Sequence, residues 1–449
     1  MGKYFGTDGV RGVANTELTP EFVYKLGRSA AYAIIKKENI SPTIIVGMDT
    51  RKSGDMLEAS LIAGMCSIGA KVVCLGVIPT PAVAYLIRKY KADAGVVISA
   101  SHNPFQDNGI KFFNNKGFKL SDELENEIED IIDNKFDEIP YYEAEKVGHK
   151  EINENAILDY VDFLANSIDG NFEGINLIID CANGATYKTA PALFEKLKAN
   201  TTTIFKEPNG ININNNCGST HMETLCQKVK EGKFDVGIAF DGDGDRCLAV
   251  DENGEIVDGD CIMAICGNYL KEQGKLKKDT IVATVMSNLG LFIMGKEKNI
   301  EILKANVGDR YVLEEMLKND YNFGGEQSGH IIFLDYNTTG DGILTAIQLI
   351  NIIKKTGKKL SELKKVVNIL PQALVNAKVD NKKKYDYLKN EDIKNAIAEL
   401  EKKFEGEGRV LIRPSGTEPL VRVMIEGKDQ DILEKEAKNL AQFIEKVLG

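Results

Sequence analysis

The stretch VVISASHNP, residues 96–104, joins an apolar segment to a polar loop. The β-branched beginning predicts a buried strand, and the serine-rich end, closed by Pro104, predicts a turn. In open α/β sheets, the loops at the carboxyl ends of strands usually carry the chemistry. Ser101 and His102 are therefore candidate functional residues, although a Ser-His pair considered alone is more typical of a turn.

The order of strand, tight polar turn and amphipathic helix occurs three times elsewhere, with strands beginning at Ile44, Leu177 and Ile281. After Pro371 the pattern changes to a charged stretch, a short loop and a final helix over residues 430–448. This organisation predicts an α/β fold, with three similar α/β domains containing mixed sheets and a smaller C-terminal α+β domain.

Composition excludes several classes of function. The 449 residues carry a formal charge of −11, which does not suit a nucleic-acid-binding surface. No apolar run approaches the length of a membrane span. The eight cysteines include no Cys-x-x-Cys pair and several lie in apolar runs, so reduced core thiols are expected. We therefore expect a cytoplasmic protein that binds neither nucleic acid nor membrane.

Arginine is scarce and unevenly placed. Only nine of the 56 basic residues are arginine. Six of the nine lie in or near loops rich in glycine, serine or aspartate: Arg11, Arg51, Arg246, Arg310, Arg413 and Arg422. Because the planar guanidinium grips phosphate and carboxylate with paired donors, this placement favours phosphate chemistry.

The sequence DGDGDR, residues 241–246, follows a predicted strand. Its carboxylates at alternate positions, Asp241, Asp243 and Asp245, can converge on one hard divalent cation because the glycines allow a sharp curl. An EF-hand calcium loop is the alternative, and Glu252 falls at its twelfth position. Arg246 stands where that loop needs glycine, however, and the flanking segments are typical of strands, so Mg²⁺ is favoured.

Two further loops are typical of ligand binding. RPSGTEP, residues 413–419, lies between apolar strands and offers amide, hydroxyl and guanidinium donors to an anion, although a Ser-Gly-Thr turn also connects ordinary hairpins. In GGEQSGH, residues 324–330, the alternating Glu326 and Ser328 can face vicinal sugar hydroxyls. His330 follows them as a candidate acid or base.

Lys111 lies between apolar residues soon after Ser101. We expect partial burial to lower its pKa and to allow proton transfer. The alternative is an ordinary lysine whose stem is buried and whose ammonium reaches water.

Five motifs occur together in the order in which the α-D-phosphohexomutase family has them: YFGTDGVRG (4–12), SASHNP (99–104), DGDGDR (241–246), GEQSGH (325–330) and RPSGTEP (413–419). The chain resembles that family from end to end. The resemblance implies four domains around a central cleft, each contributing one loop. Charged segments near residues 141–155 and 365–371 are the expected boundaries, and the division is 1–153 phosphoserine-carrying, 154–253 metal-binding, 254–368 sugar-binding and 369–449 phosphate-binding.

The resemblance also implies roles for individual residues. Ser101 would be the phosphoserine and, with its phosphate, would join Asp241, Asp243 and Asp245 in holding Mg²⁺. Arg11 and Arg246 would stabilise charge near the transferring group, and Lys111, His102 and His330 are the candidate acid–base groups. Glu326 and Ser328 would contact the sugar. The non-reacting phosphate would be held by Arg413, Ser415, Gly416 and Thr417, with Arg422 as a further candidate.

Gln327 and the segment around Met286 are similar to the glucosamine branch of the family, since the mannose/glucose branch tends to carry lysine in the latter segment. The implied reaction interconverts glucosamine 6-phosphate and glucosamine 1-phosphate through a sugar bisphosphate, which also serves as the activating phosphoryl donor, and feeds UDP-N-acetylglucosamine synthesis. A phosphomannomutase or phosphoglucomutase, a metal-dependent phosphatase and an inactive sugar-phosphate-binding protein are the alternatives. Related enzymes are often dimers, so a homodimer is a further expectation.

Overall fold

A computed structural model describes residues 2–6, 8–38, 41–415 and 419–449. The chain divides into two compact units. The first consists of Met1–Met286 and Ile300–Val366, and the second consists of Ser287–Asn299 and Val367–Gly449. The first unit contains three α/β sheets and the second an antiparallel sheet. The predicted fold class, three α/β domains and a smaller C-terminal domain, is confirmed.

The first sheet has seven strands: β1 Phe5–Gly6, β2 Gly9–Val13, β3 Thr43–Met48, β4 Lys71–Val77, β5 Ala94–Ile98, β6 Asp107–Asn114 and β7 Lys150–Ile152. Their order across the sheet is β1-β2-β6-β5-β3-β4-β7. Strand β5 runs parallel to β3 and antiparallel to β6. All five residues of β5 are buried, as the apolar run before Ser99 predicts. The sheet is therefore mixed, and it holds the loop after β5 in the middle of its edge.

Two smaller sheets complete the first unit. One contains β8 Asn176–Asp180, β9 Asn200–Ile204, β10 Val236–Phe240, β11 Cys247–Asp251 and β12 Ile256–Val257, in the order β12-β11-β10-β8-β9. The other contains β13 Thr280–Thr284, β14 Glu301–Ala305, β15 Phe323–Gly325 and β16 Ile331–Phe333, in the order β14-β13-β15-β16. Each contains both parallel and antiparallel pairs, so both are mixed.

Fourteen α-helices lie among the described residues. They are α1 Pro20–Glu38, α2 Gly54–Cys66, α3 Thr80–Tyr90, α4 Asp122–Asp130, α5 Ala156–Ala165, α6 Thr186–Lys196, α7 Glu223–Gly232, α8 Gly259–Glu272, α9 Leu289–Lys298, α10 Asp309–Asn319, α11 Gly342–Thr356, α12 Leu360–Leu363, α13 Glu391–Lys403 and α14 Gln430–Leu448. Within the described ranges, no helix combines the length and apolar character needed to cross a bilayer.

The second unit is built on β17 Gln372–Lys378, β18 Arg409–Pro414 and β19 Leu420–Glu426, all antiparallel in the order β17-β19-β18. Apolar residues of β19 and α14, among them Val423 and Leu440, form its core. Helix α9 belongs to this unit. The side-chain Nδ2 of Asn288 donates to the backbone carbonyl of Leu370 at 2.9 Å. The side-chain Oδ1 of Asn288 accepts from the backbone amide of Leu370 at 3.0 Å.

Candidate active site

Ser101 lies three residues beyond β5 in a left-handed backbone conformation, φ +53°. Its side chain is buried, and its hydroxyl donates to Asp241 Oδ2 at 2.6 Å. The Ser101 carbonyl accepts from Arg51 Nη2 and Asn214 Nδ2, both at 2.9 Å. A non-glycine residue keeps this costly conformation only when its surroundings impose it. The loop is thus built to present one hydroxyl to one carboxylate.

Arg51 is the residue that organises this loop. Its side chain is fully buried, and Nε donates to Asp49 Oδ2 at 2.8 Å. Its terminal nitrogens donate to the carbonyls of Ser101 and Asn103, each at 2.9 Å, and to that of Asp107 at 3.0 Å. Asp49 also accepts the Ser99 hydroxyl at 2.6 Å. A single guanidinium fork therefore fixes both ends of the serine loop.

Replacing Arg51 with lysine keeps the charge but removes the planar set of donors. We expect Arg51→Lys to lower kcat by roughly 10- to 100-fold, since small displacements of a reacting group have effects of this size. Arg28→Lys is the matched control, because Arg28 is equally buried and donates to the carbonyls of Ile139 and Pro140. Both variants should lower the melting temperature. Equal kcat values for the two would contradict the role of Arg51.

The three aspartates of the 241–246 loop converge, as predicted. One oxygen of each lies within 4.8 Å of the others, and all three side chains are buried. The curl needs its glycines, since a Cβ on Gly242 would lie 2.5 Å from the Ser101 carbonyl oxygen and Gly244 has φ +72°. The flanking segments are the paired strands β10 and β11, which confirms the expectation that set this loop apart from an EF-hand.

The cluster fits a divalent cation. Burial, together with the like charges of Asp245 and Asp243, raises the pKa of Asp241 well above its ordinary value. Asp243 Oδ1 and Asp245 Oδ1 are buried and have no hydrogen-bond partner among the described residues. Crowded carboxylates with oxygens left unsatisfied are what a bound cation would neutralise.

Lys111 reaches this cluster from β6, with Nζ 2.9 Å from Asp243 Oδ2 and 3.1 Å from Asp8 Oδ2. It is fully buried, but the expected fall in its pKa is wrong. Burial favours the neutral amine, yet the carboxylates of Asp243 and Asp8 outweigh it and raise the pKa of Lys111. The sequence showed the apolar neighbours of Lys111 in β6 and not the distant acids, so Lys111 is a charged partner of the cluster.

His102 and two arginines lie beside the serine. His102 Nδ1 is 3.4 Å from the Ser101 hydroxyl oxygen. Burial, with the charges of Arg246 and Arg11, lowers the pKa of His102 to about 4, so the ring is neutral at pH 7. Arg11 forms an ion pair with Asp8, and Arg246 Nε lies 4.0 Å from Asp245 Oδ1.

The sugar-loop candidates follow β15. His330 is buried, and its Nδ1 lies 3.6 Å from Asp245 Oδ2. Burial opposes its charge, but Asp245 and Asp309 outweigh burial and raise the pKa of His330 to about 9. The Gly340 amide, 3.1 Å from Nε2, instead suits a neutral ring. The charge of His330 therefore depends on how far a cation neutralises Asp245.

Glu326 and Ser328 differ in their surroundings. Glu326 Oε1 accepts from the Gly308 amide at 3.0 Å. The buried Ser328 hydroxyl makes no hydrogen bond to any described residue. Ser328 thus offers a hydroxyl to a ligand, whereas Glu326 is fixed by the loop that begins α10.

The remaining predicted residues lie in the second unit. Arg413 on β18 is directly opposite Arg422 on β19, so two guanidinium groups share one face of the sheet. Ser415 is buried, and its amide donates to the Leu420 carbonyl at 2.9 Å. Gly416 and Thr417 lie outside the described residues. Like charges placed opposite each other favour binding of an anion.

Several residues of the site were not predicted. Asp8 and Asp309 both bind Lys119, at 2.7 and 2.6 Å from Nζ, and Thr80 donates to Asp243 Oδ2 at 2.7 Å. Asp8 lies in the 4–12 motif, three residues before Arg11, and Asp309 directly precedes Arg310. Those neighbouring arginines were the available signal. Lys119 lies between Phe118 and Leu120, the same pattern that made Lys111 a candidate, whereas Thr80 had no signal.

Within the first unit, a strained serine therefore faces three buried carboxylates, a charged lysine and a neutral histidine. The hydroxyl and the carboxylates suit transfer of a phosphoryl group, which needs alignment and charge compensation more than covalent assistance.

Four family models match the chain, one for each successive domain. They are described as the α/β/α domains I, II and III and the C-terminal domain of phosphoglucomutase/phosphomannomutase, and they match residues 2–138, 158–254, 258–368 and 374–443. Together these ranges account for most of the sequence.

A phosphoglucosamine mutase of Ruminiclostridium cellulolyticum is 63% identical over 445 residues, 99% of each chain. A crystal structure of a phosphoglucomutase/phosphomannomutase family protein from Burkholderia thailandensis superposes with a TM-score of 0.81 at 23% identity, covering 99% of this chain and 98% of the other. An Aspergillus fumigatus N-acetylphosphoglucosamine mutase, solved with GlcNAc-6P and magnesium, gives a TM-score of 0.70 at 19% identity, with coverage of 99% and 96%.

Proposed function

Because the chain belongs to the phosphoglucomutase/phosphomannomutase family, we propose that it interconverts glucosamine 6-phosphate and glucosamine 1-phosphate. The choice of an amino sugar is supported by the relative that is 63% identical over nearly the whole chain. The observation that carries the chemistry is the Ser101 hydroxyl, 2.6 Å from a carboxylate of the buried aspartate cluster. It is an isomerase, since substrate and product differ only in which sugar oxygen carries the phosphoryl group.

In the proposed reaction the phosphoryl group starts on Ser101 Oγ. The free hydroxyl of the sugar phosphate attacks phosphorus, the bond from phosphorus to Oγ breaks, and the sugar becomes a bisphosphate. The attacking hydroxyl loses a proton to a base, and Oγ gains one. After the bisphosphate turns round, Ser101 takes the other phosphoryl group by the reverse step. Atoms and charge balance, and the bisphosphate also serves to phosphorylate Ser101 initially.

We assign the metal to Asp241, Asp243 and Asp245, together with a phosphate oxygen on Ser101. The fit of the cluster to a divalent cation supports Mg²⁺. When bound, Mg²⁺ would compensate the negative charge on the transferring group. Thr80 and Lys111 donate to Asp243 Oδ2, which leaves Oδ1 of that residue for the cation.

We assign proton transfer to the groups around Ser101. His102, neutral and 3.4 Å from Oγ, can accept a proton. Lys111 is charged and suits donation to an oxygen that gains negative charge. His330 reaches the cluster through Asp245 and is the acid–base candidate on the side of the sugar loop. Arg11 and Arg246 would compensate charge on the equatorial oxygens.

We assign the sugar hydroxyls to Glu326 and Ser328. We assign binding of the non-reacting phosphate to the C-terminal domain. The residues are Arg413, Ser415, Gly416, Thr417 and Arg422. The facing arginines on β18 and β19 support that assignment. The corresponding domain boundaries remain as inferred from the sequence: 1–153, 154–253, 254–368 and 369–449.

A cytoplasmic enzyme that feeds UDP-N-acetylglucosamine synthesis is the setting we propose. All eight cysteines are free thiols, which suits a reducing compartment. The net charge of −11 supports a small-molecule substrate and not nucleic acid. A homodimer is proposed from the resemblance alone.

The sugar preference can be measured by comparing kcat/KM on the 1-phosphates of glucosamine, glucose and mannose. We expect kcat/KM for glucosamine 1-phosphate to exceed that for each of the other two by at least about tenfold. This ratio corresponds to roughly 1.4 kcal/mol of transition-state discrimination. A preference for glucose or mannose would replace the proposed substrate with that of a phosphoglucomutase or phosphomannomutase. The phosphoserine chemistry would be unaffected.

A further inference from the structure

Six side chains, alternately carboxylates and nitrogen bases, form a closed ring that includes one member of the aspartate cluster. The ring runs in order through Asp245, Lys111, Asp8, Lys119, Asp309 and His330, and returns to Asp245. In each neighbouring pair, the nitrogen and the carboxylate oxygen lie 2.6–3.8 Å apart. The links made by Lys119, to Asp8 at 2.7 Å and Asp309 at 2.6 Å, are the shortest.

The ring joins segments that are far apart in the sequence. Asp8 precedes β2, Lys111 lies in β6 and Lys119 follows β6, so three members come from the first sheet. Asp245 follows β10, Asp309 begins α10 and His330 precedes β16. All three sheets of the first unit thus contribute, and the ring ties their loops together at one point.

Two members of the ring contact the same atom of the cluster. Lys111 Nζ and His330 Nδ1 lie 3.8 and 3.6 Å from Asp245 Oδ2. Asp245 Oδ1, in contrast, has no hydrogen-bond partner among the described residues. Two nitrogen groups packed against one carboxylate oxygen fix the rotation of that carboxylate and leave its other oxygen for a ligand.

We propose that Lys119 and Asp309 are positioning residues for phosphoryl transfer. Among the ion pairs of the described residues, none joins Lys119 or Asp309 to Asp241, Asp243 or Asp245, so the pair acts through its neighbours. Lys119 holds Asp8, which holds Lys111, and Asp309 holds His330. Together they fix the lysine and the histidine that orient Asp245. This proposal rests on the proposed function only in taking the cluster as the site of transfer.

A purely structural ion pair is the alternative. A buried pair that loses one partner leaves an uncompensated charge, so stability alone would fall in any variant. Kinetics separates the two. A variant that misplaces a reacting group has a lower kcat. A variant that loses a substrate contact present in both the ground state and the transition state has a higher KM instead.

The test compares Lys119→Met, Lys119→Arg, Asp309→Asn and the Lys119→Met/Asp309→Asn double variant, in the full chain with saturating Mg²⁺. We expect kcat to fall by roughly 10- to 100-fold in Lys119→Met, with KM changed by less than about threefold. Lys119→Arg should recover most of the loss. The double variant should lose much less than the product of the single losses, because the two residues act as one unit.

Lys89→Met is the matched control, since it removes a 2.8 Å ion pair to Asp159 between α3 and α5 without touching the ring. Its kcat should equal that of the wild type. All variants are assayed with the hexose phosphate that the wild type converts fastest. If the glucosamine assignment is wrong, the wild type alone reveals it, and the comparison among the variants still tests the positioning role. A normal kcat in folded Lys119→Met, or a raised KM with normal kcat, overturns the positioning role.

Discussion

Replacing Ser101 with alanine should lower kcat by at least about 10³-fold, because it removes the hydroxyl that we propose carries the phosphoryl group between the two sugar positions. The backbone at Ser101 has φ +53°, an arrangement imposed by Arg51 and Asn214 and not by the hydroxyl. The variant should therefore fold, and circular dichroism with steady-state kinetics would measure both properties.

Two variants separate the hydroxyl from the backbone. Ser101→Gly relaxes the left-handed conformation and should be as inactive as the alanine variant, although more stable. Ser29→Ala is the control, since Ser29 is buried with no hydrogen bond from its hydroxyl to any described residue. It should retain wild-type kcat. Turnover by Ser101→Ala near the wild-type rate would eliminate the phosphoserine mechanism.

Asp241→Asn should lower kcat by about 100-fold or more and should raise the Mg²⁺ concentration needed for half-maximal rate, because one of three anionic ligands is lost. The same change should stabilise the metal-free protein. Burial and two like charges raise the pKa of Asp241, so the folded chain holds a charge there at a cost. The amide removes that repulsion.

The sign of the pH dependence follows. A carboxyl group whose pKa is raised by folding binds more protons in the folded chain than in the unfolded chain. The free energy of unfolding therefore falls as the pH rises above the pKa of an aspartate in the unfolded chain, about 3.9. In EDTA, the wild-type melting temperature should therefore decline with rising pH more steeply than that of Asp241→Asn. With Mg²⁺ present near neutral pH, the wild type should instead have the higher melting temperature of the two proteins.

Asp251→Asn is the matched control for this change. Asp251 is also buried, but it pairs with Lys364 and accepts from the Asn253 amide at 2.9 Å. Its replacement should destabilise the fold and leave kcat and the Mg²⁺ requirement unchanged. A lower melting temperature for Asp241→Asn than for the wild type in EDTA would contradict the account of the cluster.

Local pattern was sufficient to predict much of the molecule. The strand before Ser99, the curl through Gly242 and Gly244, and the convergence of Asp241 with its two neighbours each depend on contiguous residues. Their side chains meet because strand ends and glycine turns leave few other arrangements.

What the sequence could not provide is the approach of distant charges. Lys111 was expected to have a lowered pKa because only its apolar neighbours were visible, whereas Asp8 and Asp243 come from other segments. Lys119 lies between Phe118 and Leu120 and belongs to no motif, and its contacts span 111 residues to Asp8 and 190 to Asp309. Such networks arise only when the three sheets are assembled.

The central claim is that the phosphoryl group passes through Ser101. Enzyme phosphorylated with radiolabelled sugar bisphosphate would be mixed with excess glucosamine 1-phosphate, quenched, and followed by mass spectrometry of the peptide that contains Ser101. The account predicts label on Ser101 before mixing and its transfer to sugar bisphosphate at the rate of isomerisation. Label on another residue, or its release as inorganic phosphate at that rate, would contradict it.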